Sequence, residues 1–151
     1  DISNRLVRVG EPSQDAPPPR LSDIIAEYVD RSHVEVAQDG VFLADLLSNE
    51  SRAAIGAIVG EALNNGFKHA RGRGQSVQVM LKNQHMWVMI FDSGPGFPSE
   101  TELRRKQAAG HLGFSGMQAQ AARIGAELAV SRTDDGQTVV CVTLALEKPA
   151  N

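Results

Sequence analysis

Three short stretches carry residue types whose spacing could do chemistry. The first is EALNNGFKHA, residues 61–70, where Glu61, Asn64, Asn65, Lys68 and His69 crowd together at helical spacing. Paired asparagines are poor helix formers, and a merely solvated face would more usually carry Glu, Lys, Arg and Gln. Asn65 offers a neutral carbonyl oxygen to a hard cation such as Mg²⁺, which keeps several waters and takes few protein ligands. Lys68, one turn on, could neutralise phosphate; Glu61, one turn before, could polarise a water or hold a metal's outer shell. Asn64 is a borderline member of the group.

The second stretch is FDSGPGF, residues 91–97. Asp92 ends an apolar run, and Gly94 and Gly96 follow at once. An aspartate there can accept a hydrogen bond from an exocyclic amine, while glycines let a ligand approach the backbone. The same Asp-x-Gly pattern is also ordinary turn chemistry. The third stretch, AAGHLGFSGM, spaces Gly110, Gly113 and Gly116 three apart ahead of a helix. Freed backbone N–H groups at a helix N-terminus suit an anion such as phosphate, and loop glycines alone would look alike. Neither the G-x-x-x-x-G-K-[ST] loop nor the G-x-G-x-x-G fingerprint occurs.

These stretches need elements to position them. The spacing predicts a short helix over 21–31 with Ser22 as N-cap, a strand at VEVA (34–37) and a turn at Asp39-Gly40. The strongest periodicity runs from about 49 to 70, with Ile55, Ile58, Val59, Ala62, Leu63, Gly66 and Phe67 on one arc. The polar group of the first stretch falls on the complementary arc. ARGRGQ breaks this helix, and SVQVML and HMWVMIFD read as strands. The second is apolar on both faces and should be central in a covered sheet. A loop (97–109) precedes a helix at roughly 115–124, and ELAVSR and QTVVCVTLAL close the chain around a DDG hairpin turn (134–136). The expected fold is an α/β two-layer sandwich: a mixed, largely antiparallel sheet covered on one face by helices.

Composition agrees with one ordinary globular domain. The 151 residues carry a formal net charge of -3, which argues against a nucleic-acid surface. The four histidines (33, 69, 85 and 111) lack ligand-like spacing, so zinc is not expected. Cys141 cannot form an internal disulfide and reads as a buried, inert thiol. No apolar run approaches the roughly 20 residues of a membrane span, and no secretory signal is visible, so a cytoplasmic setting is expected. GEPSQDAPPPR, with three consecutive prolines, reads as a linker over 1–20, leaving one domain at 21–148 cut from a longer protein.

Taken in order, the three stretches resemble the gyrase, heat-shock chaperone, histidine kinase and mismatch-repair ATPases. EALNNGFKHA resembles their N box, FDSGPGF the first glycine box and GHLGFSGM the second; DGQTVV resembles their closing strand. The resemblance covers about residues 34 to 147. Within that family, E-A-L-x-N-x-x-K-H-A with G-H-L-G-F-x-G-M is most similar to the catalytic domains of bacterial sensor histidine kinases of the nitrate-sensor type.

That resemblance implies ATP and Mg²⁺ as ligands. It implies Asn65 on the metal, Lys68 and His69 on phosphates, Asp92 on the adenine amino group, and Gly94 and Gly96 beneath the base. Gly110, His111, Leu112, Gly113, Gly116 and Met117 would line the triphosphate side at the end of a lid (about 97–113), and Thr138 would reach adenine through water. Glu61 would orient the acceptor or a metal-bound water. Arg104, Arg105 and Lys106 could hold phosphates or form a solvated basic run. The sequence departs from the family at Ser93, where Asn is frequent, and at Gly66, where Ala is frequent. None of the four histidines has the R-E-L-H-D-like context of a phosphoacceptor.

The implied partners are a separate phosphoacceptor and dimerisation domain and a downstream response regulator, with this piece itself monomeric and the parent protein cytoplasmic or membrane-bound. An anti-sigma-type serine kinase and a non-catalytic nucleotide-binding module stay open as alternatives.

Overall fold

The computed structural model describes residues 16–93 and 113–146. The first helix, α1 (Leu21–Ser32), begins two residues earlier than a Ser22 cap would place it. Arg20 takes the N-cap position instead, because the Asp23 carboxylate reaches back to accept from the Arg20 backbone N–H at 3.4 Å. Leu21, Ile25 and Tyr28 turn inward, and His33 closes the helix in the left-handed region at φ 59.

The first strand, β1 (Ala37–Asp39), lies later than the expected 34–37. Val34 and Val36 pack against the core, while the ladder starts where Ala37 N donates to Gln75 O at 3.1 Å. The Asp39-Gly40 turn is present, but it opens a 3₁₀ segment (Val41–Leu46) rather than a hairpin. Gly40 adopts φ 70, and a Cβ there would sit 2.2 Å from the Val79 carbonyl oxygen, so only glycine fits.

The long helix α2 (Asn49–Ala70) follows, then β2 (Ser76–Lys82) and β3 (His85–Asp92), a third helix α3 (Gly113–Arg123), and β4 (Glu127–Arg132) and β5 (Thr138–Ala145). The sheet order is β1-β2-β3-β5-β4, with β1 parallel to β2 and every other pair antiparallel. The expected hairpin at 134–136 joins β4 to β5: Thr133 N donates to Gln137 O at 2.8 Å, and Gly136 supplies φ 89.

The mixed, largely antiparallel sheet therefore forms as its alternation dictates. Val77, Val79, Met86, Val88, Ile90, Val140 and Val142 face the helices and are buried. Against them lie Ile25 of α1, Ile55, Ile58, Val59 and Leu63 of α2, and Met117 and Ala121 of α3. Each wholly buried Ile or Leu contributes about 1.5–3 kcal/mol from its apolar area. The strand β3 is central, as its double-sided apolarity predicts, but it is not equally covered. Its Met86, Val88 and Ile90 side is buried, and its Trp87, Met89 and Phe91 side is half-buried. No described helix is long and apolar enough to cross a membrane.

Candidate functional site

The helix α2 starts cleanly, with the Ser48 hydroxyl accepting from Ser51 N at 3.2 Å as an N-cap. Its buried arc runs through Ala54, Ile55, Ile58, Val59, Ala62, Leu63 and Asn65. Two residues thus change sides relative to the sequence pattern. Phe67, placed on the apolar arc, is 44% exposed, and Asn65, placed on the polar one, is 9% exposed. At about 100° per residue Asn65 falls within the inward arc and Phe67 just beyond its far edge. A buried asparagine is expensive unless its amide is used, which marks Asn65 more sharply than its spacing did.

The end of α2 is built by backbone. Arg71 enters the left-handed region at φ 55, its N–H donates to Phe67 O at 3.0 Å, and Gly72 N donates to Gly66 O at 3.2 Å. The chain then doubles back along the end of β3. Ser93 N donates to Arg73 O at 2.9 Å, and a Cβ on Gly74 would lie 2.0 Å from the Ser93 hydroxyl. The turn after α2 is thereby fastened to the residue that follows Asp92.

This fastening brings Asp92 over the bare backbone of α2. A Cβ on Gly66 would lie 3.3 Å from Asp92 Oδ2 and 2.5 Å from Gln75 Nε2. Gln75 is 4% exposed; its amide donates to Leu63 O at 3.0 Å, and its oxygen accepts from the Tyr28 hydroxyl. Burial pushes the Tyr28 hydroxyl pKa up, partly opposed by that hydrogen bond. Gln75 and Tyr28 thus join α1, α2 and the start of β2 beneath Asp92. Sequence reasoning did not single out either one. Tyr28 fits an apolar helical stripe, and Gln75 sits in a stretch legible only as a helix breaker.

Across the sheet Asp92 pairs directly with Thr138 in the β3–β5 ladder. Thr138 is 1% exposed, and its hydroxyl has no hydrogen-bond partner among the described residues. An unsatisfied buried hydroxyl costs on the order of 1–3 kcal/mol, so the position is kept against stability.

Among the remaining expected site residues, Glu61 is half-buried, and Lys68 and His69 are exposed in the last turn of α2. Asn64 is occupied elsewhere: its carbonyl accepts from Arg31 of α1 at 2.9 Å. Gly116 is exposed, with nothing within 4 Å of where a Cβ would be, whereas Met117 is wholly buried in the core. Gly113 opens α3. Gly94, Gly96, Gly110, His111, Leu112 and the Arg104–Lys106 cluster lie outside the described residues. Among the described residues no group of three or more His, Cys, Asp or Glu could hold a metal ion.

A mixed five-stranded sheet backed by helices, with the turn after its long helix fastened to the residue that follows an aspartate at the end of the central strand, defines an α/β fold of the histidine kinase ATPase class. The family model described as histidine kinase-, DNA gyrase B- and HSP90-like ATPase matches residues 50–148, and the chain belongs to that family.

The fold is shared with the histidine kinase domain of the Erythrobacter litoralis EL346 blue-light activated kinase. That match has a TM-score of 0.66 and 22% identity, over 83% of this chain and 63% of that one. It is shared with full-length ShkA in complex with AMPPNP, with a TM-score of 0.70 and 18% identity over 90% of this chain and 32% of that one. The E. coli osmosensor EnvZ histidine kinase domain matches with a TM-score of 0.61 and 15% identity, over 93% of this chain and 96% of that one. This chain thus spans under two thirds of the first two proteins. Comparison with curated protein sequences returns no significant match.

Proposed function

We propose that the chain is the ATP-binding catalytic domain of a sensor histidine kinase, presenting MgATP so that its γ-phosphoryl group passes to a histidine on a separate dimerisation domain. The observation that carries this reading is the strand register that sets Asp92, beside the bare backbone at Gly66, opposite Thr138, whose buried hydroxyl has no partner among the described residues. A carboxylate and a hydroxyl together accept from and donate to a purine edge and a bridging water. The buried Thr138 hydroxyl, without a partner among the described residues, is a group that a ligand or its water would satisfy.

Bound nucleotide supplies the phosphoryl group and most of the negative charge. The chain supplies position and compensating charge rather than covalent chemistry. Asp92 fixes the base, held against α2 through Ser93 and Arg73. Asn65, at the inner edge of α2, offers one neutral oxygen to Mg²⁺, whose other ligands would be water and phosphate oxygens. Lys68 and His69, exposed one turn later, reach toward phosphates. Glu61 orients the acceptor or a metal-bound water. Gly94, Gly96, Gly110, His111, Leu112, Gly113, Gly116 and Met117 complete the proposed nucleotide site.

None of the four histidines has a phosphoacceptor's sequence context, so this stretch binds nucleotide without phosphorylating itself. Its partners are the acceptor domain and, downstream, a response regulator, in the cytoplasm. Calorimetric titration of MgATP tests the reading. Wild type should bind in the micromolar-to-millimolar range and Asp92→Ala should lose at least tenfold in affinity; equal affinity would remove the adenine assignment.

A further inference from the structure

The sheet face turned away from the described helices carries a run of large apolar side chains. Strand alternation sends Trp87, Met89 and Phe91 of β3 there, opposite Met86, Val88 and Ile90. Register sets Met80 of β2 beside Trp87, and Cys141 of β5 beside Met89. Met80 is 44% exposed and the other four are half-buried. None of the five belongs to the core cluster that the helices share with the inward-facing residues. A contiguous apolar patch of this kind marks an interaction site.

The charges at its rim select what covers it. Glu127 of β4 lies in the same row as Trp87, through Thr143, two strands from β3. Lys82 of β2 lies one strand from β3 on the other side, opposite His85, and both charged residues are exposed. A two-fold axis laid along β3, between two stacked sheets, carries the β4 side of one copy over the β2 side of the other. In projection Glu127 then comes within one strand spacing (~4.8 Å) and two residues (~6.6 Å) of Lys82, and symmetry forms the pair twice. Extended Lys and Glu side chains together span the ~10 Å between stacked sheets. Turning the axis across the strands instead sets Glu127 over Ser131 of the other copy and leaves both charges unpaired.

We propose that this face packs on the same face of a second copy about the axis along β3, so that Trp87, Met89 and Phe91 meet their own counterparts. Four strands at ~4.8 Å and seven residues at ~3.3 Å give a patch of roughly 450 Å² per copy. The roughly 900 Å² covered in all falls below the ~1,200–2,000 Å² of a standard interface, so the association is weak and depends on concentration. Asp92 and Thr138 alternate to the opposite face of the sheet, so the pairing leaves the nucleotide site open.

Sedimentation equilibrium on the full chain tests this. The mean mass should rise from one chain toward two, with a midpoint at roughly 100 µM. Trp87, the only tryptophan, should shift its emission to the blue over the same range. Met89→Lys, which sets like charges against each other on the axis, should stay a single chain while keeping a cooperative urea transition. Lys82→Glu should weaken association at least threefold, and adding Glu127→Lys to it should restore association. A single chain up to about 1 mM, ten times the expected midpoint, would overturn the proposal. So would Met89→Lys associating as wild type does, or failure of the charge exchange to rescue.

Discussion

Gly66 and Gln75 share one volume: the space a Cβ would take on Gly66 lies 2.5 Å from the Gln75 amide nitrogen. The missing methyl on the helix makes room for the side chain that bridges Tyr28 and Leu63. Helix propensity alone favours Gly66→Ala by about 1 kcal/mol. Overpacking a filled site costs about 1–3 kcal/mol, and Gln75 is pinned at both ends of its amide, so the clash should win. Gly66→Ala should lower stability in urea unfolding by about 1–2 kcal/mol, and Gly66→Ala with Gln75→Ser should recover most of the loss. A stabilised single variant would show that Gln75 has room to move.

Thr138→Val should separate stability from binding. The substitution keeps the shape and removes the orphaned hydroxyl, so the ligand-free protein should be as stable as wild type or up to about 1–3 kcal/mol more so. Nucleotide affinity should fall several-fold in the same variant. Loss of stability with unchanged affinity would mean that the hydroxyl serves the fold.

The buried amide of Asn65 should matter to the cation rather than to the base. Titrating ATP with and without Mg²⁺ against Asn65→Ala checks this. The variant should lose at least tenfold in affinity with Mg²⁺ and far less without it. An equal loss in both conditions would remove the metal role.

Alkaline pH should weaken the fold through two acids, the buried Tyr28 and Cys141, which is half-buried rather than fully buried as expected. Burial pushes the Cys141 thiol above its ordinary value of 9.0, opposed only weakly by Thr143, and pushes Tyr28 above 10.0. Both groups are neutral in both states below their ordinary values, so their stabilising effect is fully present there. As pH rises, the unfolded chain ionises first and stability falls until the folded values are passed. Urea midpoints measured from pH 7 to 11 should drop, and Cys141→Ala should make the drop shallower from about pH 9. The same burial should leave Cys141 slow toward thiol reagents.

The elements were legible where periodicity was long. The 22 residues of α2, the double-sided apolarity of β3 and the DDG turn each read directly from the sequence. The start of α1 and the position of β1 did not, because a backward-reaching Asp23 and a single hydrogen bond to Gln75 set them. In the site, Asp92 and Thr138 were visible as residues, but their direct pairing depends on the β3–β5 register. The inward turn of Asn65 and outward turn of Phe67 are a matter of a few tens of degrees, finer than a polar-versus-apolar division of a helix resolves. Gln75 left no signal, since its role arises from the space beside Gly66 rather than from its neighbours in sequence.

The end of α2 has a consequence for which anions can settle beside it. A helix of 22 residues directs the negative end of its backbone dipole toward its last turn, where Lys68 and His69 stand one turn beyond Asn65. Lys68 and His69 offset that pole, so they are not wholly available to an incoming polyanion. A triphosphate approaching this end is repelled by backbone carbonyls unless it brings a cation of its own. The long helix would therefore act as a filter on charge state, favouring metal-complexed over bare nucleotide before any side chain makes contact.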